Sequence, residues 1–103
     1  KQIGSAAVYS LIGDNSPMEQ HMVGRLTAAV VPPAGTTTIQ QPRSDEDLFL
    51  YVTDGTGSVK HNEESVSLGQ YDVILATPEM DQTQITADAS GLDFLSFYLP
   101  RFL

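Results

Sequence analysis

The sequence predicts an all-β domain of sandwich or barrel type. Short runs of β-branched and aromatic residues recur along it, clusters of Gly, Pro, Asn and Asp punctuate them, and no amphipathic stretch is long enough for a major helix. A length of 103 residues suits one domain, residues 1–103, with a single modest core. The chain has no cysteine, so disulfides and thiolate metal sites are excluded and stability must come from packing or association.

Each element follows from local composition. Residues 8–12 form a first strand, and Asp14, Asn15, Ser16 and Pro17 have the makeup of a turn. Residues 20–31 are a longer extended segment. Its apolar end stops at Pro32 and Pro33, which have no backbone N–H to give a ladder. The β-branched residues 36–39 suit another strand, residues 42–47 are polar enough for a loop, and residues 48–53 alternate into the clearest strand of the chain. Residues 54–57 make a glycine-rich bend. Residues 58–60 and 64–68 flank a polar hairpin tip at 60–63. Two more strands are expected at 71–76 and 82–87, and Gly91 precedes a final apolar strand at 92–99.

Charge narrows the partners. A formal net charge of -8 opposes attraction to phosphates, and the five basic residues, Lys1, Arg25, Arg43, Lys60 and Arg101, are scattered. No nucleic acid is expected. The first 17 residues contain an apolar run, but Gly13, Asp14 and Pro17 break it, so neither a signal peptide nor a membrane span is expected. The expected location is cytoplasmic, with no membrane partner.

The most informative stretch is residues 35–55, GTTTIQQPRSDEDLFLYVTDG. Its spacing fits G-x5-H-x-H-x3-4-E-x6-G, the first motif of the cupins, with Gly35 and Gly55 as the two glycines. The run VVPPAG before it and LYVTDGTGSV at its end also resemble cupin sequence. Downstream, LGQYDVILATPEMDQTQIT resembles the second cupin motif, with Tyr71 where a glycine often precedes Asp72 and Glu79 where one often follows the proline. The resemblance spans roughly residues 26–100. It implies a cupin-type double-stranded β-helix, a jelly-roll barrel.

The same alignment places Gln41, Arg43 and Leu48 at the ligand positions of the first motif and Gln82 at that of the second. Arginine has only donors and repels a cation, and leucine offers no lone pair. Two glutamine carbonyls do not replace three imidazoles and a carboxylate. No metal and no other cofactor is therefore expected. The one escape is a register slip that turns Glu46 or Asp47 inward in place of Leu48.

Strand alternation, applied to that alignment, aims Gln41 and Arg43 inward with Ile39, Leu48 and Leu50 inward with Val52, and Gln82 inward with Gln84. A pocket lined by Gln41, Arg43, Gln82 and Gln84 over the floor of Leu48 and Leu50 suits a small polar or anionic molecule. The alternative for Arg43 is pairing with Asp45, Glu46 or Asp47 at the barrel mouth. Whether the barrel is hollow, or closed by Leu48, Leu50, Phe94 and Phe97, stays open.

Catalytic residues do not stand out. His61 lies in a polar tip where solvent exposure is expected, and His21, just before a strand, covers the barrel edge or faces inward. Tyr51 is expected to face away from Leu50 and pack, while Tyr71 and Tyr98 are further phenols. No nucleophile elbow, carboxylate pair or calcium loop is present. Two function classes follow. The first is a metal-free, cupin-like small-molecule binding or structural domain. The second is a metal-independent cupin enzyme, an isomerase, cyclase or dehydratase acting on a small anionic or sugar-like metabolite. Either is expected to be a homodimer, since cupins commonly pair through strands near the N-terminus and sheet edges. Residues 6–12, within the N-terminal strands of residues 1–25, and the apolar residues 97–103 offer the interface.

Overall fold

Two long alternating segments organise the molecule. The computed structural model describes residues 2–12, 25–39, 41–61, 63–76 and 83–100, and their regular structure is entirely strand. The order is β1 (Gln2–Ile3), β2 (Ala6–Ile12), β3 (Arg25–Val31), β4 (Thr36–Thr38), β5 (Glu46–His61), β6 (Glu64–Leu68), β7 (Val73–Ala76) and β8 (Gln84–Pro100). All pairings are antiparallel along the path β1-β2-β3-β8-β5-β6, with β4 on β8 and β7 on β5.

β5 and β8 are long enough to serve two layers. The first half of β5 pairs with β7 and the second half of β8, and its second half with β6 and the first half of β8. Both strands bend where register shifts fall between Val52 and Asp54 and between Gly55 and Gly57. Gly55 has φ 88° and Gly91 φ 78°, and a Cβ on Gly55 would run into the Gly91 carbonyl. Only glycine permits that approach in that conformation. The bend the sequence predicts at 54–57 is thus a kink within a continuous strand, and the sheet folds over itself as a jelly roll.

Alternation decides what enters the space between the layers. Leu48, Leu50 and Val52 of β5 are buried, as expected, with Val31 of β3 and Ile85, Leu92 and Phe94 of β8. Leu48, Leu50 and Ile85 are each at most 1% exposed, and each contributes about 1.5–3 kcal/mol through burial. The barrel is therefore packed through its centre. The opposite face of β2, β3, β8, β5 and β7 carries apolar residues between Asp47 and Asp93. Registers align Leu26, Phe97, Phe49 and Leu75 in one row and Tyr9, Ala28, Leu95, Tyr51 and Val73 in the next. Tyr71 stacks on Tyr51 in the second row, and Tyr9, Val73 and Leu75 are each at least half exposed.

Several boundaries differ from the sequence expectation. β1 is not anticipated, being only two residues long. β5 begins at Glu46, inside the expected 42–47 loop, because Glu46 is drawn into the sheet by a buried partner described below. Tyr71 has φ 74°, a left-handed conformation that favours glycine, which agrees with its placement on the glycine of the second motif. The Gly69 and Asp72 turn is closed by Asp72 Oδ2, which accepts from the Gly69 N–H at 2.8 Å. No helix among the described residues is long and apolar enough to cross a membrane.

Candidate functional site

Among the described residues expected to line a polar pocket, Leu48 and Leu50 are buried and Arg43 and Gln84 are not. β4 ends at Thr38, so alternation does not run on through 39–43. Ile39 and Pro42 are buried, Gln41 is half-buried and Arg43 is exposed. The expectation that Arg43 points inward is thereby corrected. Gln84 is corrected too: Thr83, Ile85 and Ala87 are the buried positions and Gln84 is exposed between them, a parity one residue from that expected. Leu48 and Leu50 do face inward. Gln82 and His21 lie outside the described residues.

A different charged group occupies the interior. Glu46 shares the parity of Leu48 and is buried, and the Arg25 Nη2 donates to its Oε1 at 2.6 Å. The backbone N–H of Arg43 donates to the same oxygen at 3.0 Å. Burial alone would push the Glu46 carboxyl up, but these bonds and the Arg25 and Arg43 charges outweigh it and hold it below its ordinary value. The carboxylate thus turns inward beside Leu48 rather than replacing it, and Arg43 serves it at the barrel mouth. Tyr98, opposite Arg25 in the β3–β8 ladder, lies with its ring 4.0 Å beneath the guanidinium. Burial pushes its phenol up to about 12 against an opposing effect of Arg25.

Two of the spaces among the described residues can be placed. The smaller, about 30 Å³, lies against β1–β4 and β8, between Thr27, Thr37, Ile39, Ser96 and Tyr98. It has room for one or two waters. The larger, about 200 Å³, opens between β5, β6 and β7 and is lined by Val59, His61, Glu64, Val66, Ile74, Leu75, Ala76 and Thr83. His61 is not on an open tip as expected. It ends β5 half-buried, with its Nδ1 enclosed. Tyr51 does pack outward, its ring stacked 6.5 Å from that of Tyr71.

Solved structures with this arrangement identify the fold. The cupin 2 domain of an XRE family transcriptional regulator from Enterobacter cloacae superposes with a TM-score of 0.76 at 13% identity, over 94% of this chain and 99% of that one. The chain has the cupin fold. A cupin 2 domain-containing protein from Halorhodospira halophila is similar at TM-score 0.75 and 22% identity, covering 92% of this chain and 64% of its own. A predicted oxalate decarboxylase from Thermotoga maritima reaches TM-score 0.69 at 16% identity, over 92% of this chain and 80% of that one. No family model and no curated protein matches the chain. The cupin relationship is therefore one of architecture, carried by regulators and predicted enzymes alike.

Cupin barrels commonly hold a metal, and the described residues do not suit one. No three His, Cys, Asp or Glu side chains come together among them. The buried carboxylate at the mouth already accepts from Arg25, whose fixed positive charge opposes a cation there. Sequence reasoning passed over Thr83 and the pairing of Arg25 with Glu46, named Glu46 only for a register slip or as a partner of Arg43, and placed His61 on an exposed tip. Parity was the available signal for Glu46, which stands two residues before Leu48. Its partner Arg25 is 21 positions away, so the pair is visible only after β3 and β8 are in register.

Proposed function

We propose that this chain is a non-catalytic cupin domain that binds a small molecule without a metal and works as a homodimer. The observation carrying this reading is the filled centre: Leu48, which stands at a ligand position of the first motif, is buried with Leu50 and Ile85, while a cavity of about 200 Å³ stays open between β5, β6 and β7. The polar or anionic ligand expected from the sequence depended on Arg43 and Gln84 pointing inward, so the exposed positions of both move the ligand class toward the apolar. The enzyme alternative requires an acid or base free to act. Tyr98 is a weak one, since its phenol is pushed up to about 12, and Glu46 is engaged by Arg25 and by the Arg43 N–H.

The apolar rows on the outer sheet face support the pairing. They carry no charged side chain although the chain has a net charge of -8, and a second copy presents a self-complementary surface by two-fold symmetry. The interface so placed includes β2 and Phe97 from the expected segments and extends across β3, β5 and β7.

The test combines thermal unfolding with Mn²⁺, Fe²⁺, Ni²⁺ and Zn²⁺ and ligand-observed NMR with a library of small metabolites. The expected result is no EDTA-reversible rise in Tm with any metal, at least one binder and no turnover. A rise of several degrees that EDTA reverses, or turnover of any bound compound, would overturn the reading.

A further inference from the structure

Tyr71 is held in a conformation that costs stability and recovers little of it within the chain. Its φ of 74° lies in the left-handed region, where a bulky side chain is strained. The turn around it fixes that conformation. The Tyr71 N–H donates to the Val52 carbonyl at 2.8 Å, the Val52 N–H to the Asp72 carbonyl at 3.0 Å, and Gln70 Nε2 to the Thr53 carbonyl at 3.2 Å. The ring so presented stacks on Tyr51 yet stays 66% exposed. Strain kept in place for a ring that lies mostly in solvent marks a contact made outside the chain.

The outer sheet face supplies that contact. Its strands run β2-β3-β8-β5-β7, so β8 is the middle of five. The row Tyr9, Ala28, Leu95, Tyr51 and Val73 crosses all five and is exposed at both ends. Five strands about 4.8 Å apart and the seven-residue length of β2 and β3 give roughly 550 Å² of flat face before the Tyr71 turn is added. Specific interfaces begin near roughly 600 Å² per partner.

We propose that the homodimer forms about a two-fold axis lying in this face along β8, so that Tyr71 of each copy packs on the partner's Tyr9. The inference rests on the homodimer reading above and gives it an axis and an anchor. Rotation about that axis exchanges the two edges of the face and keeps height along the strands. The Tyr9 end of the row therefore falls on the Val73 and Tyr71 end of the same row in the partner, twice by symmetry. Leu95 stands at the axis, and tyrosines, common among the residues that dominate interfaces, close both edges. An axis across the strands reverses height instead. It carries Tyr71 past Ala76, the last residue of β7, where no described residue meets it. The axis along β8 also sets Asp93, the next outward residue on that strand, beside its own copy at the rim.

The chain has no cysteine, so introduced ones report the contact. Tyr71→Cys and Tyr9→Cys are made separately and treated with a phenylene bismaleimide, which bridges thiols across the about 10 Å between packed sheets. The mixture is expected to give at least about tenfold more crosslinked dimer than either variant alone, because the two copies of residue 71 lie on opposite edges, about 20 Å apart. Tyr71→Asn, a residue that tolerates this φ, is expected to weaken association at least about tenfold in sedimentation equilibrium without lowering the Tm of the dilute protein. Asp93→Asn is expected to tighten association by about threefold, since a like-charge pair is removed. In a protein that sediments as a dimer, crosslinking of either single variant as readily as the mixture, unchanged association in Tyr71→Asn, or looser association in Asp93→Asn would overturn this axis and leave the homodimer reading in place. A wild type that stays monomeric at tens of micromolar would remove both.

Discussion

At the scale of single residues, the Arg25–Glu46 ion pair is a largely dry electrostatic contact. The Arg25 and Glu46 side chains are about 11% and 9% exposed, so removing one partner leaves the other charged and largely dry. Glu46→Gln is expected to lower stability by about 3 kcal/mol in urea denaturation. The double variant Arg25→Met with Glu46→Leu should recover most of that loss, since apolar residues of similar size replace such pairs at little cost. Equal losses in single and double variants would show that the pair is not coupled. The pair also sets the acid limb of the stability profile. Because the folded Glu46 lies below its ordinary value of 4.5, the unfolded chain binds the proton first, and stability falls as pH drops from about 4.5 through the folded value. Tyr98 has the opposite sign at the other limb. Its folded value is raised from 10.0 to about 12, so its stabilisation is intact below pH 10 and is lost as pH rises toward 12. Two units correspond to about 2.7 kcal/mol. Tyr98→Phe should flatten the alkaline limb, and denaturation midpoints measured across pH check both slopes.

At the scale of elements, the glycines that bend β5 and β8 determine whether one sheet can become two layers. Gly55→Ala places a methyl against the Gly91 carbonyl at a φ of 88°, and the expected loss is about 3 kcal/mol or more, with backbone strain and a steric clash combined. Gly69→Ala is the matched comparison, because its Cβ would meet only Asp72 Oδ2 at 3.9 Å, and a change within about 0.5 kcal/mol is expected in the same assay. Similar losses at the two sites would mean that the bend is not rigidly specified. These elements also show what was legible beforehand. The spacing of Gly35 and Gly55 gave the architecture, and the alternation of 48, 50 and 52 gave the buried face, because both signals are local and periodic. The site was less legible for a physical reason. Parity cannot be carried from one segment across a turn into the next, so Gln84 was placed on the wrong face and the buried Thr83 beside it was passed over. His61 was misread because a polar hairpin tip in sequence became, in space, the rim of a cavity formed by β6 and β7.

At the scale of the whole molecule, the two faces of one sheet make different demands. The inner face is satisfied by the opposite layer, whereas the outer face presents two cross-strand apolar rows, centred on Phe97 and Leu95, with Tyr9, Val73 and Leu75 at least half exposed. Contiguous apolar surface of this kind is uncommon on a monomer and marks an interaction site. A standard interface covers about 800 Å² on each partner with its apolar residues at the centre, and the proposed dimer would place Phe97, Phe49 and Leu95 there. Phe97→Glu introduces a carboxylate there, and is expected to weaken association at least about 100-fold, or about 2.7 kcal/mol. Ser65→Glu, an equal change of charge on exposed β6 away from these rows, should leave association unaltered. Because both copies carry a net charge of -8, added salt should strengthen the proposed dimer by screening their repulsion, the reverse of its effect on a contact held by opposite charges. Sedimentation equilibrium at low and high salt reads all three outcomes. A wild-type protein that stays monomeric at tens of micromolar, or a Ser65→Glu variant as disruptive as Phe97→Glu, would remove the outer face as the dimer contact.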